Sequence, residues 1–167
     1  AEDDAEAVRW IRRAADQGTA EGEFALGNMY MSGRGVARDP IEAIRWIHRA
    51  AEHGFARAQF NLGMSYDTGT GVAQNAEAAA RWFERAAHQG ETSAQQNIGI
   101  MYANGEGVSR DFVAAHVWLS LAAAGSTGSA RASALQGRDT VAQQLPPDQL
   151  AVAEQRAREW SPTPEPR

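Results

Sequence analysis

Residues 56–90 read ARAQFNLGMSYDTGTGVAQNAEAAARWFERAAHQG, and this stretch decides the fold because the chain repeats its pattern. A tryptophan, a tyrosine, a glycine and an Ala-Ala pair of this stretch each recur with an interval of 36 residues. The tryptophans fall at Trp10, Trp46, Trp82 and Trp118. A register held over three periods indicates a solenoid-type repeat, in which each unit buries an apolar face against its neighbour.

Each period contains two helical patterns, and the second is the easier to recognise. Trp46 and Ile47 belong to an apolar stripe with helical spacing, which predicts an amphipathic helix. Asp39 is a suitable N-cap, and Pro40 suits the first helical position. In the next copy the same stripe predicts that Trp82 is a core residue joining neighbouring repeats.

The first pattern of the period carries Leu62, Gly63 and Tyr66. A glycine inside a helix costs about 1 kcal/mol of stability relative to alanine. Because glycine recurs at this place as Gly27, Gly63 and Gly99, we expect the two helices of a pair to approach too closely there for a Cβ atom.

The full pattern, A-x-x-x-L-G-x-x-Y-x-x-G-x-G-V-x-x-D-x-x-x-A-x-x-W-x-x-x-A-A-x-x-G, resembles the Sel-one-like repeat (SLR) family, a bacterial relative of the tetratricopeptide repeat. The long G-x-G-V loop distinguishes it from a tetratricopeptide unit. The resemblance implies an all-α fold, a right-handed α-solenoid of antiparallel helix pairs that serves in protein binding or scaffolding.

The last copy of the second helix predicts a C-terminal cap. Two positions that hold arginine in the earlier copies hold Val117 and Leu121 there. An apolar outer face needs a cover, and solenoids require terminal caps. We expect two helices within 126–160 to supply it.

These observations give a predicted organisation for the whole chain. The array spans 1–125 and opens with a second-type helix, 3–18, that lacks its first-type partner. We therefore expect that the chain belongs to a longer protein with residues upstream. Three pairs follow at 20–54, 56–90 and 92–125, then the capping helices at 126–160 and a mobile, proline-rich tail at 161–167.

Composition excludes several classes of site. The chain has 167 residues, no cysteine, and 16 basic residues that are all arginine, so thiolate zinc sites, cysteine nucleophiles, Schiff-base lysines and Walker-type phosphate lysines are absent. The net charge of −5 argues against nucleic acid as a partner, and no apolar run is long enough for a membrane span. No metal-ligand or catalytic spacing surrounds the four histidines or any serine. We therefore predict no cofactor, no metal and no enzymatic activity.

The candidate site is the concave groove that the resemblance to tetratricopeptide units implies for the first helix of each pair. Its residues vary between copies while the core does not, which would suit an amphipathic helix or an extended peptide. The alternative is that the apolar members simply pack between neighbouring repeats. The groove residues are Phe24, Asn28, Met31, Arg57, Phe60, Met64, Asp67, Gln96, Ile100 and Asn104.

A second repeated surface is an arginine ladder on the second helices. Repeated positive charge can bind an anionic polymer or a membrane surface. The competing interpretation is pairing with glutamates three or four residues earlier in the same helix. The ladder consists of Arg9, Arg13, Arg45, Arg49, Arg81 and Arg85.

The sequence therefore predicts a non-enzymatic protein–protein interaction or scaffold module that binds a protein or peptide in its groove. The resemblance implies a role in bacterial signalling or envelope regulation and favours the periplasm over the cytoplasm. The alternative is a periplasmic domain of a cell-polarity or cell-wall organising protein that recognises a glycan or another envelope component. A hydrolase built on the solenoid has no support in these residues.

Overall fold

The computed structural model describes residues 2–165, the side chains of residues 2, 3 and 5 apart, and within this range the chain forms nine α-helices and no strand. Residues 1, 166 and 167, at the ends of the predicted array and tail, lie outside the described residues. The helices are α1 (Glu2–Asp16), α2 (Ala20–Ser32), α3 (Pro40–Glu52), α4 (Ala56–Thr68), α5 (Ala76–His88), α6 (Thr92–Asn104), α7 (Phe112–Gly125), α8 (Gly128–Ala142) and α9 (Pro147–Glu159).

The described chain divides into two compact units. Unit 1 holds residues 2–75 together with Glu165, and unit 2 holds residues 76–164. Within unit 1 each helix packs against the next, from α1 to α4. Within unit 2, α5 packs against α6, α6 against α7, and α7 against both α8 and α9.

The recurring glycine of the first helix allows the close approach that its position predicts. A Cβ atom on Gly27 would lie 2.7 Å from Cγ1 of Ile47 and 3.0 Å from the carbonyl oxygen of Ala43. In unit 2, a Cβ atom on Gly99 would lie 2.9 Å from Cγ of Leu119. The absence of a side chain at this position therefore permits α2 to pack on α3, and α6 on α7.

Caps fix where the second helices begin. The Asp39 carboxylate accepts hydrogen bonds from the backbone N–H groups of Ile41 and Glu42, at 3.1 and 3.0 Å. Asp111 accepts one from the backbone N–H of Ala114 at 3.0 Å. Both satisfy orphan donors in the first turn, and Asp39 is the N-cap that the sequence predicts.

The core of each unit is built from small and medium apolar side chains. In unit 1, Val8, Ala15, Leu26 and Met29 are buried together, with Trp46 packed against the cluster. Unit 2 has two such clusters, formed by Ala115, Leu119 and Val141 and by Ala122, Ala123 and Ala134. The buried residues of both clusters lie on α7 and α8, so α8 covers the apolar face of the last repeat.

The tryptophan column is less buried than the sequence predicts. Trp82 is half-buried, whereas its neighbour Phe83 is 1% exposed. Trp10 is 62% exposed, and only Trp118 is buried. The core position therefore belongs to Phe83, and the prediction of a core position for Trp82 is wrong. Both residues lie on the same apolar stripe, and helical periodicity alone does not show which of two adjacent residues is the more deeply buried.

Candidate functional site

The groove residues of α2 lie on one helix face, because Phe24, Asn28 and Met31 are separated by four and three positions. The Phe24 ring meets the ring of Phe55 edge-on, with centroids 5.2 Å apart and planes at 62°. Asn28 is exposed and Met31 is half-buried. Phe24 therefore has a packing role within unit 1, while Asn28 and Met31 remain accessible.

The groove residues of α4 combine apolar and charged side chains. Phe60 and Met64 are half-buried, and Arg57 and Asp67 are exposed near the two ends of the helix. The opposite face of α4 carries Leu62, which is fully buried. The accessible face of α4 thus has an apolar centre with one positive and one negative end.

The groove residues of α6 have different surroundings, because α8 lies against this helix. The Gln96 amide donates a hydrogen bond to Oγ of Ser133 at 3.0 Å, so Gln96 is already engaged by α8. Ile100 is 40% exposed. Asn104 is exposed at the last position of α6, but the residue in register with Met31 and Asp67 is Ala103.

The structure also shows a repeated buried polar position that our sequence reasoning did not single out. The buried polar column consists of Glu23, Gln59 and Gln95, one residue per first helix, all at 0–2% exposure. The amide of Gln59 donates to the carbonyl oxygen of Ala51 at 3.0 Å, and the amide of Gln95 donates to that of Ala87 at 3.2 Å. Each amide thereby satisfies a carbonyl in the last turn of the preceding second helix.

Glu23 has no N–H to donate, and its surroundings differ accordingly. Its carboxylate lies 2.9 Å from the Arg49 guanidinium and 2.8 Å from Nδ1 of His53. Arg49 and Glu23 form an ion pair, but the Glu23 Oε1 atom accepts no hydrogen bond from Arg49. Two cationic or donor groups from α3 and its C-cap therefore balance one buried carboxylate.

Four of the six arginines of the ladder contact residues of their own helices. Arg45 lies 3.2 Å from the Glu42 carboxylate, as the pairing interpretation predicts. The guanidinium groups of Arg13, Arg49 and Arg85 also lie over the tryptophan three positions earlier, 4.5–5.3 Å from the ring centroid. Stacking on an aromatic face is a favourable position for arginine.

The family model of the Sel1 repeat matches residues 1–19, 20–55, 56–91 and 92–126 in unbroken succession. The chain belongs to the Sel1 repeat family. Sel1 repeats are generally protein–protein interaction modules, and the predicted all-α repeat fold is confirmed.

Two solved structures show the same fold. A Sel1 repeat protein from Oxalobacter formigenes is 36% identical, with a TM-score of 0.73, and the match covers 78% of this chain and 98% of that one. A protective antigen present in uropathogenic Escherichia coli strains, which displays an SLR fold, is 27% identical with a TM-score of 0.65. That match covers 92% of this chain but 40% of the antigen. Among curated proteins, none matches this Sel1 repeat protein.

Between the last Sel1 repeat and the two helices that follow it, unit 2 has a cleft that the sequence did not predict. It has a volume of about 500 Å³, and its lining includes His116, Ser120, Arg138 and Glu154. Burial, with a further contribution from the Arg138 charge, holds the pKa of His116 below its ordinary value. Nδ1 of His116 lies 3.5 Å from Oγ of Ser120. The signal for this cleft is the loss of the outer arginines from α7, which lets α9 pack there.

Tyr102 is a second residue whose pKa is shifted by its surroundings in unit 2. Burial, reinforced by a 2.8 Å hydrogen bond from its hydroxyl to the Glu84 carboxylate, raises the pKa of Tyr102 to about 12.

Among the described residues, His, Asp and Glu side chains form no cluster that could hold a metal ion. In that same part of the chain, no helix has the length and hydropathy to cross a membrane.

Proposed function

We propose that this Sel1 repeat chain is a non-enzymatic protein–protein interaction module that binds a protein or peptide partner through its groove residues. The supporting observation is the contrast between the two faces of each first helix. The buried face is nearly constant, with Leu26, Leu62 and Ile98 all at 0% exposure. The accessible face changes from copy to copy, so it is free to be specialised for a partner.

The chemistry of α4 defines the kind of partner. Phe60 and Met64 offer adaptable apolar area, and Arg57 and Asp67 place opposite charges at its ends. An apolar centre with a polar rim is typical of protein interfaces, and methionine suits a surface that must adapt to a helix or an extended peptide. The partner segment is therefore amphipathic and carries charges of both signs.

The setting that we propose is bacterial signalling or envelope regulation, in the periplasm rather than the cytoplasm. Both solved relatives come from bacteria, and one of them is a protective antigen. The net charge of −5 supports a protein partner over nucleic acid.

The glycan alternative has one observation in its favour. Trp10 is 62% exposed and borders a shallow pocket of about 230 Å³ with Glu6, Arg9 and Arg13. An exposed indole ringed by polar groups can carry a sugar. If this alternative holds, soluble cell-wall fragments bind the wild-type chain, and Trp10→Ala abolishes that binding while the groove variants retain it.

A pull-down with matched variants tests the protein-binding function. The intact chain, a groove variant (Met64→Ala with Ile100→Ala) and a ladder variant (Arg45→Glu with Arg81→Glu) are immobilised and exposed to the same bacterial lysate. We expect a partner that the intact chain and the ladder variant retain and the groove variant loses, with unchanged helical circular dichroism. Equal retention by all three variants would contradict the proposal.

A further inference from the structure

The segment that follows α9 packs against unit 2. It begins Trp160-Ser161-Pro162-Thr163-Pro164 and has no helical structure. The backbone N–H of Thr163 donates a hydrogen bond to the carbonyl oxygen of His88 at 2.8 Å. Pro162 lies beside Gly90, since a Cβ atom placed on that glycine would be 3.5 Å from Cγ of Pro162.

A row of rings anchors the start of the same segment. Trp118, 7% exposed, meets the Trp160 ring edge-on with centroids 6.2 Å apart. It also meets the His88 ring edge-on at 5.0 Å. The tail is thus held by an aromatic contact at Trp160 and, three residues later, by a backbone hydrogen bond.

These contacts share two features with proline-rich recognition, an aromatic anchor at Trp160 and a proline that packs on the surface beside it. Prolines at 162 and 164 have no N–H, so Thr163 supplies the one amide donor between them. Proline-rich segments are already extended and lose little conformational entropy when they dock on aromatic surfaces. A tail of this composition is a ligand of the kind that such a surface selects.

The first copy of the repeat lacks this contact. Gly18 is the equivalent of Gly90 two periods earlier, and it also has a positive φ, at 77° against 92°. A Cβ atom on Gly18 would have no neighbour within 4 Å. The glycine recurs because a helix end requires it, whereas the overlying proline belongs to the tail alone.

We propose that His88, Gly90 and Trp118 form a binding site, the tail site, for an extended proline-rich partner peptide with an aromatic residue two positions before its first proline. The chain's own tail occupies the site until such a peptide displaces it. None of these three residues is a groove residue, so this inference is independent of the proposed function. A tethered segment has an effective concentration of about 1 mM or more, so the intact chain binds a free peptide weakly and a chain with a released tail binds it better.

Amide hydrogen exchange of the full chain tests whether the tail is docked. The N–H of Thr163 should exchange at least about tenfold more slowly than the same N–H in a free WSPTPEP peptide, because it is bonded to the carbonyl oxygen of His88. Exchange at the rate of the free peptide would overturn the inference. This readout needs no variant, so it is independent of any folding defect.

A peptide titration tests whether the site accepts a ligand in trans. Fluorescently labelled WSPTPEP is titrated with the wild-type chain, Thr163→Pro and Thr163→Ala, and binding is followed by anisotropy. Thr163→Pro removes the backbone donor and Thr163→Ala keeps it. We expect Thr163→Pro to bind the peptide about tenfold more tightly than the other two chains, which should behave alike. No saturable binding by any chain, or equal binding by all three, would overturn the inference.

Discussion

Helices α3 and α7 occupy the same place in the repeat, two periods apart, yet they face different surroundings. In unit 1, α3 carries Arg49 and is followed by His53, and both contact the buried carboxylate of Glu23. In unit 2, the equivalent positions on α7 hold Leu121 and Gly125. Helix α7 packs against α8 and α9, and its Leu121 lines a cleft with residues of both, whereas α3 keeps Arg45 exposed.

The buried polar column changes together with these helices. Where the second helix provides Arg49 and His53, the buried residue is Glu23, and where it provides Leu121, the buried residue is the neutral Gln95. A buried carboxylate is tolerated only where a partner balances its charge. In these two copies the charge of the buried polar position follows the next helix, whereas in the middle copy the neutral Gln59 precedes a helix that carries Arg85 but has Gln89 in place of His53.

The largest expected effect comes from removing the cover of α7. Deleting 126–167 exposes Leu119, which packs against α8, and Leu121, whose equivalent on α3 is Arg49. We expect aggregation or loss of a cooperative unfolding transition, measured by light scattering and urea denaturation. A soluble monomer with unchanged stability would show that α8 and α9 do not serve as a cap.

The next effect tests an apolar core position that α3 and α7 share. Ile47, Phe83 and Leu119 occupy the same position in three copies, and all are at most 2% exposed. Phe83→Ala should lower the free energy of unfolding by about 3–5 kcal/mol through lost burial and a residual cavity. Trp82→Ala should cost clearly less, because Trp82 is only half-buried. The reverse order in urea denaturation would contradict the burial assigned to this helix.

Exchanging the charge of the buried polar column tests the comparison itself. Gln95→Glu removes the donor to the carbonyl oxygen of Ala87 and buries a carboxylate opposite Leu121. We expect a loss of about 3 kcal/mol at neutral pH, and a smaller loss in acid where the new carboxyl is protonated.

Glu23→Gln is the matched control, because a glutamine there can donate to the carbonyl oxygen of Ala15, eight residues earlier, as Gln59 and Gln95 do in their own copies. Arg49 and His53 are about half exposed and can return to water. The free energy of unfolding should change by no more than about 1 kcal/mol. Equal losses for the two exchanges would remove the argument for charge matching.

The smallest expected effect is a pH dependence that comes from His116 on α7, whose equivalent position on α3 holds Ile44. Because burial lowers the pKa of His116 in the folded chain, the unfolded chain takes up the proton first as the pH falls below about 6.5. Stability should therefore decline as the pH falls through this value, and level off below the pKa of the folded state. His116→Gln should flatten the unfolding free energy between about pH 7.5 and 5.5. An identical profile for wild type and variant would contradict this.

The sequence predicted the helices well because the period of 36 residues repeats each cap, glycine and apolar stripe. It failed where neighbours share a stripe, as Trp82 and Phe83 do. It also placed Asn104 with the groove residues where the register points to Ala103. The column Glu23, Gln59, Gln95 was visible as three polar residues at the same step, each beside an apolar core.

The repeat pattern could not predict contacts between residues that are far apart in the sequence. The composition of the tail predicts a mobile segment, and local sequence holds no sign of the hydrogen bond from Thr163 to His88 or of the one from Gln59 to Glu165, at 3.0 Å within unit 1. The predicted mobility stays a prediction.

The most direct test of the proposed function is photo-crosslinking from single positions. A photoreactive amino acid replaces Met64 on α4, Ile100 on α6 or, as the control, Arg45 on the exposed face of α3. The proposal predicts that Met64 and Ile100 crosslink to the same partner protein and that Arg45 does not. Crosslinks to a partner from Arg45 alone would transfer the binding surface to the arginine ladder and contradict the proposal.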